Sequence, residues 1–228
     1  MKWSLTLGTA LAVAIAGLLW TEPSRAAQDV LGAGPCTLLE RQTTCSAPKA
    51  LPFYANATFT PSWNVKEAHR VGDFRFIDQS ASPFEARHLD NKITVVSFFY
   101  TTCNGICASN TQNLGWLQKR MARHPRVQLA SHSVTGDSVS ALARYARTNG
   151  VDGRRWRLLT GDLRDIDAVM RTAYFTYPAG DVGPKREAMH TENLLLIDGQ
   201  RRIRGVYRGT LRLDVEALAR DIEQLEAE

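Results

Sequence analysis

The chain has 228 residues, of which 44% are hydrophobic and 22% charged, with a formal net charge of +5. Those proportions exclude a disordered or fibrous chain and suit one domain of moderate size that can bury a core without disulfide staples. The positive residues are spread, with local clusters at 154–157 and 201–204, and are not gathered into a groove of the kind that tracks nucleic acid. No nucleic-acid partner is expected. The basic surface is read as solvated, with a capacity to dock an acidic partner or an anionic membrane.

The N-terminus opens on Met1-Lys2, followed by 18 uncharged residues from Trp3 to Trp20. Residues 21–26 are polar and include the small residues Ser24 and Ala26. This is the pattern of a signal peptide cut after Ala26 or Ala27. The alternative is an uncleaved anchor, since 18 uncharged residues just span a bilayer and would keep the protein membrane-associated. Either reading puts the remainder outside the cytoplasm. The expected organisation is a signal segment at 1–26, an extended arm at 27–70 and a folded domain at 71–228.

The arm contains Gly32, Gly34, Pro35, Pro48, Pro52 and Pro61 and little periodicity, so it is expected to be irregular. Cys36 and Cys45 lie in it with eight residues between them. In an oxidising compartment that spacing suits a local structural disulfide.

Regular patterning begins near Val71. Residues 73–77 alternate as a short strand, and 93–99 are β-branched and aromatic, as in a buried central strand. A helix is expected over about 108–123, with Leu114, Leu117 and Met121 on one face. A strand follows at 127–134, then a helix capped by Asp137 or Ser138 and running to about Asn149. A third strand is expected at 156–159, and a helix capped by Asp162 at 163–172. Strands at 192–197 and 203–207 flank Asp198-Gly199-Gln200 as a hairpin. A closing helix over 214–226 carries Val215, Leu218, Ile222 and Leu225 on one face. This alternation predicts an α/β protein of thioredoxin-like architecture: a mixed central sheet flanked by helices, with the arm as an addition. It sets Cys103 and Cys107 between the end of a central strand and the start of a helix, where sites assemble in such sheets.

A helix N-terminus favours thiolate, the form that both reacts and binds metal. Three residues separate Cys103 from Cys107, so both sulfurs can converge on one ion or close a disulfide. Soft thiolates select Cu(I), zinc or iron–sulfur clusters, and two of them leave the coordination short. His190 is the natural third ligand: it follows a Gly- and Pro-rich stretch, 177–189, and precedes a strand expected to border the cysteine loop. His132 is read as a buried, hydrogen-bonded histidine rather than a second-shell group. Met189 is read as packing. His69, His88 and His124 sit in polar segments and are expected to be solvated.

Several motifs in order resemble the Sco/SenC family. They are Phe98-Phe-Tyr-Thr-Thr-Cys-Asn-Gly-Ile-Cys107, Ser131-His-Ser-Val134, Leu159-Thr-Gly-Asp162 and His190-Thr-Glu-Asn-Leu-Leu-Leu-Ile-Asp198. Leu51-Pro-Phe-Tyr54 and Phe59-Thr-Pro-Ser-Trp63 resemble a lead-in found in one bacterial branch. The resemblance implies a periplasmic or membrane-anchored thioredoxin-fold monomer that binds one copper ion, Cu(I) or Cu(II), through Cys103, Cys107 and His190. It implies a role in assembling the dinuclear copper centre of cytochrome c oxidase. The implied partners are the oxidase subunit that holds that centre and other periplasmic copper chaperones. Family members usually carry proline after each cysteine and often aspartate before the histidine. Here Asn104, Ala108 and Met189 stand there, which implies a looser loop and a different second shell.

Three functions compete on these residues. The first is a copper-binding assembly factor. The second is a thiol–disulfide oxidoreductase in which Cys103 attacks and Cys107 resolves the mixed disulfide. The third is a peroxide-reducing thiol enzyme or a redox sensor. Exchange needs no histidine and three-ligand copper binding does, so His190 favours the first. Cys36 and Cys45 have a second reading as a thiol pair that relays copper or electrons.

Overall fold

Ile93–Phe99, here β5, is buried at all seven positions. A run of β-branched and aromatic residues with no polar alternation has no face to offer to water, so it must lie in the middle of a sheet covered on both sides. The computed structural model places it there. It describes residues 50–103, 105–176 and 192–228, together with the backbone of 36–39 and 42–45. The chain divides into two compact units, Met1–Ala47 and Pro48–Glu228.

In the first unit, β1 (Cys36–Leu39) and β2 (Gln42–Cys45) form a two-stranded antiparallel ladder with Cys36 opposite Cys45. The arm thus has more regular structure than its composition suggests. The disulfide expected between these cysteines concerns side chains outside the described residues.

In the second unit, β3 (Arg75–Asp78) and β4 (Pro83–Glu85) pair antiparallel. The chain then runs through β5, α1 (Ile106–Arg120), β6 (Val127–Ser133), α2 (Val139–Thr148), β7 (Trp156–Thr160) and α3 (Leu163–Thr172). β8 (Asn193–Ile197), β9 (Ile203–Arg208) and α4 (Arg212–Ala227) complete it. The seven strands are ordered β4-β3-β7-β6-β5-β8-β9. β5, β6 and β7 are parallel, whereas β3 joins β7 and β8 joins β5 antiparallel. This is the thioredoxin-like α/β architecture read from the element order. β4 and the 3₁₀ turn Ala86–Leu89 after it were not anticipated. A three-residue edge strand beginning at proline is too short to show a period.

Pleat alternation sends the strands' side chains to two cores. One holds Val95, Leu129 and Leu158 against Leu114 and Leu117 of α1, Leu142 of α2 and Val215, Leu218 and Ile222 of α4. The predicted faces of α1 and α4 are therefore the buried ones, each fully buried aliphatic contributing about 1.5–3 kcal/mol. The other core packs Val96, Phe98 and Leu195 against Ile166 and Met170 of α3 and the rings of Phe74, Phe76 and Phe84. The hairpin between β8 and β9 closes on Asp198, whose Oδ1 accepts from the N–H groups of Gln200 and Arg202 at 2.9 Å each. Gly199 is required there, because a Cβ would sit 3.0 Å from Asn91 Cα.

Tyr174 is fully buried in the second core, and its hydroxyl has no hydrogen-bond partner among the described residues. Such a group costs its desolvation without return. Tyr174→Phe is therefore expected to raise the unfolding free energy by about 1 kcal/mol in urea titration. A loss of that size would mean that the hydroxyl is satisfied.

Candidate metal centre

β5 delivers the chain at Phe99 to the C-terminal end of the parallel strands, and four residues later Cys103 stands before α1. The N-cap of α1 is Gly105, and among the described residues no side chain caps the helix. Its first N–H groups are left to serve an anion, and the sulfur takes them. Cys103 Sγ accepts from the backbone N–H groups of Gly105 and Cys107, from the Cys107 thiol and from the Tyr100 hydroxyl. Burial alone would push the Cys103 thiol up, but these donors outweigh it and bring its pKa down to about 7. Cys107 is the second residue of α1 and only 3% exposed. Burial, reinforced by its bond to Cys103 and the charge there, pushes its thiol up to about 12. At neutral pH the accessible Cys103 is about half in its thiolate form, and the buried Cys107 thiol donates to it.

The wall behind Cys107 is polar. Tyr145 and Thr111 share a hydrogen bond at 2.6 Å, as do Ser97 and Ser131, and Trp156 Nε1 donates to Ser131 at 2.8 Å. A small cavity lies among these groups and Asn110, too tight for anything larger than a water molecule. Cys107 lines this cavity with them, while Cys103 is only partly buried, in keeping with its reading as the attacking sulfur.

The structure brings Cys103 and Cys107 together as expected. His190 and Met189 lie outside the described residues, as does Asn104. Among the described residues no three His, Cys, Asp or Glu side chains gather as a metal cage. The two sulfurs in mutual contact fit part of the donor set a soft ion needs. His132 is buried as expected, at 2% exposure, but its Nε2 has no hydrogen-bond partner among the described residues. It is enclosed by the rings of Phe74, Phe76, Phe98 and Tyr174, on the face of the sheet away from Ser131. Burial lowers its pKa to about 3, so it is neutral. Two surface histidines are more engaged than their polar neighbourhoods suggest. His69 is half-buried against the Phe175 ring with Nε2 3.1 Å from the Ala173 carbonyl oxygen, and His124 pairs with Glu226. His88 stays exposed, as expected.

The model of the SCO1/SenC family matches residues 64–227. The chain belongs to the SCO1/SenC family. Among solved structures it is similar to a SCO1/SenC family lipoprotein from Bacillus anthracis, at 28% identity over 70% of this chain and 95% of that one, with a TM-score of 0.62. It is similar in fold to BsSco, a member of the Sco family of cytochrome c oxidase assembly proteins for which a disulfide switch is described. That match has 20% identity, covers 70% of this chain and 95% of BsSco, and has a TM-score of 0.61. The fold is shared again with Bradyrhizobium japonicum ScoI, solved with copper bound, at 21% identity over 69% of this chain and 99% of that one, with a TM-score of 0.56. No helix among the described residues of this SCO1/SenC member is long and apolar enough to cross a membrane.

Two residues that shape the site escaped the sequence reading. Tyr100 was given no role beyond its place in the motif around the cysteines, and Asp137 was read only as a candidate cap for α2. The cap is Ser138, whose Oγ accepts from Ala141 N–H at 3.2 Å. That leaves the Asp137 carboxylate for another use.

Proposed function

We propose that this chain is an exported copper carrier that holds one copper ion at Cys103, Cys107 and His190 and serves assembly of the dinuclear copper centre of cytochrome c oxidase. The observation that carries this reading is the sulfur pair at the start of α1, with one sulfur ionised near neutral pH and the second donating to it. Thiolates are the ligands a soft ion selects, and an exposed one lets cargo enter and leave by ligand exchange. Family membership and the copper-bound ScoI relative support copper as that ion. The β5–β8 ladder runs from Thr94 opposite Ile197 to Val96 opposite Leu195, so β8 begins at the cysteine end of the sheet. His190 precedes that strand by three residues in the sequence, which supports it as the third ligand. The partner in this reading is the copper-bearing subunit of the oxidase.

The test is metal titration of the reduced, exported chain. It is expected to bind about one copper ion. His190→Ala is expected to weaken Cu(II) binding by about 100-fold or more, since loss of an outer-shell partner alone costs 10–100-fold. Exchange with glutathione should change little. Equal copper affinity with and without His190 would end the three-ligand reading.

The thiol asymmetry also favours a second reading, reduction of a target's cysteines before metal loading. Cys103 would attack a target disulfide and free one target thiol. Cys107 would then attack Cys103 Sγ in the mixed disulfide, releasing the second target thiol and leaving a Cys103–Cys107 disulfide. A copper-free His190→Ala chain that still reduces an oxidised dithiol substrate at the wild-type rate would support it.

A further inference from the structure

The chain leaving β5 toward Gly105 is tied through its backbone and through a neighbouring carboxylate. Cys103 N–H reaches Tyr100 O at 3.3 Å, and Val134 N–H donates to Phe99 O at 2.9 Å at the very end of β5. A further hold on this segment comes from the turn that follows the neighbouring strand β6. Asp137 Oδ1 accepts from Thr101 Oγ1 at 2.7 Å, and its Oδ2 accepts from Thr101 N–H at 3.0 Å. The same Oδ2 accepts from Ser133 Oγ at 2.8 Å and Thr135 Oγ1 at 3.2 Å. Asp137 N–H in turn donates to Ser133 Oγ at 3.1 Å. Ser133 is fully buried and stands in register with Phe99 on parallel strands. The carboxylate is thus fixed to the rigid end of β6 and grips the residue two places before Cys103.

We propose that Asp137 is a positioning residue for the sulfur pair, holding the chain that leaves β5 so that Cys103 stays over the helix start that carries Cys107. Bonds to an ionised acceptor are shorter and stronger than neutral ones, and gripping one residue by both backbone and side chain removes its freedom to swing. Prolines directly after the cysteines would stiffen such a loop by fixing φ, and this chain has Asn104 and Ala108 there. The Asp137 latch supplies stiffness from outside the loop. Its relevance to copper rests on the function proposed above, but its effect on the sulfurs does not.

The test is therefore read first without metal. The full chain is equilibrated with mixtures of reduced and oxidised glutathione. One oxidised glutathione and the two protein thiols give the Cys103–Cys107 disulfide and two reduced glutathiones, through a mixed disulfide that the second cysteine resolves. The equilibrium constant measures how well the two sulfurs are held together. Asp137→Ala is expected to lower it about tenfold. Asp137→Asn keeps a carbonyl oxygen for Thr101 N–H and offers N–H to Thr101 Oγ1, so it is expected to recover the constant to within about threefold. Copper dissociation should quicken in the alanine variant and recover in the asparagine one. A folded Asp137→Ala chain with the wild-type constant would overturn the proposal, as would equal losses in both variants. Should Asp137→Ala not fold, Thr101→Val removes the 2.7 Å bond alone and is expected to lower the constant about threefold; no change there would overturn it. A wild-type chain that bound no copper would sink the proposed function and leave the glutathione result standing.

Discussion

At pH 7, iodoacetamide is expected to alkylate Cys103 about ten times faster in the wild-type chain than in Cys107→Ala. The wild-type Cys103 thiol, near 7, is about half ionised at that pH. The largest stabilising contribution to its thiolate is the Cys107 thiol, ahead of the N–H groups of Gly105 and Cys107 and the Tyr100 hydroxyl. Alanine keeps the backbone N–H and deletes the S–H donor. An ordinary thiol, at about 8.5, is only a few per cent ionised at pH 7, which sets the size of the drop as Cys103 moves toward it. Reading the reaction peptide by peptide separates Cys103 from Cys36 and Cys45. The pH of half-maximal rate should lie near 7 in the wild type and move upward in the variant. Matching rates and midpoints would show that Cys107 does not support the thiolate.

The second large effect is acid lability centred on His132. This imidazole is fully buried among aromatic rings, and burial alone lowers its pKa from 6.5 to about 3. Between those values the folded chain keeps it neutral while the unfolded chain protonates it. The unfolded state then binds the extra proton, so stability is full above pH 6.5 and falls as the pH drops below it. The loss is about 1.4 kcal/mol per unit and reaches about 2.5 kcal/mol by pH 4.5. His69 is also lowered by burial and acts in the same direction, so the comparison is made against a variant. His132→Leu is expected to flatten the pH dependence between 6.5 and 4.5 by that amount, measured by urea titration at each pH. It also removes an Nε2 that has no partner among the described residues, so its stability at pH 7 should change by less than an ordinary core substitution. A variant whose stability falls as steeply as the wild type's would mean that His132 is not the acid-sensitive group.

Much of the sheet was legible because its strands are buried on one face or both. Residues 93–99 announced β5 by an unbroken β-branched and aromatic run, and Asp162 announced α3 by the cap that the structure shows. Edges were harder to read. β4 and the turn after it carry too few residues for a period to emerge, and nothing local says that β3 lies antiparallel beside β7. The histidines were read from their neighbours in sequence. That worked for His88 and failed for His69 and His124, whose partners Ala173 and Glu226 are about a hundred positions away.

The sequence by itself determined the order of elements, the junction that carries Cys103 and Cys107, and the helix faces that enter the core. Those follow from local periodicity, capping and spacing, which are properties of neighbouring residues. The tertiary structure supplied the reason why Cys103, read from the sequence as the attacking sulfur, is the more acidic one: four donors converge on it while Cys107 is buried. It alone turned Asp137 from a candidate helix cap into the anchor of Thr101. A carboxylate takes the donors nearest to it in space, and parallel pairing of β5 with β6 brings together residues 36 positions apart.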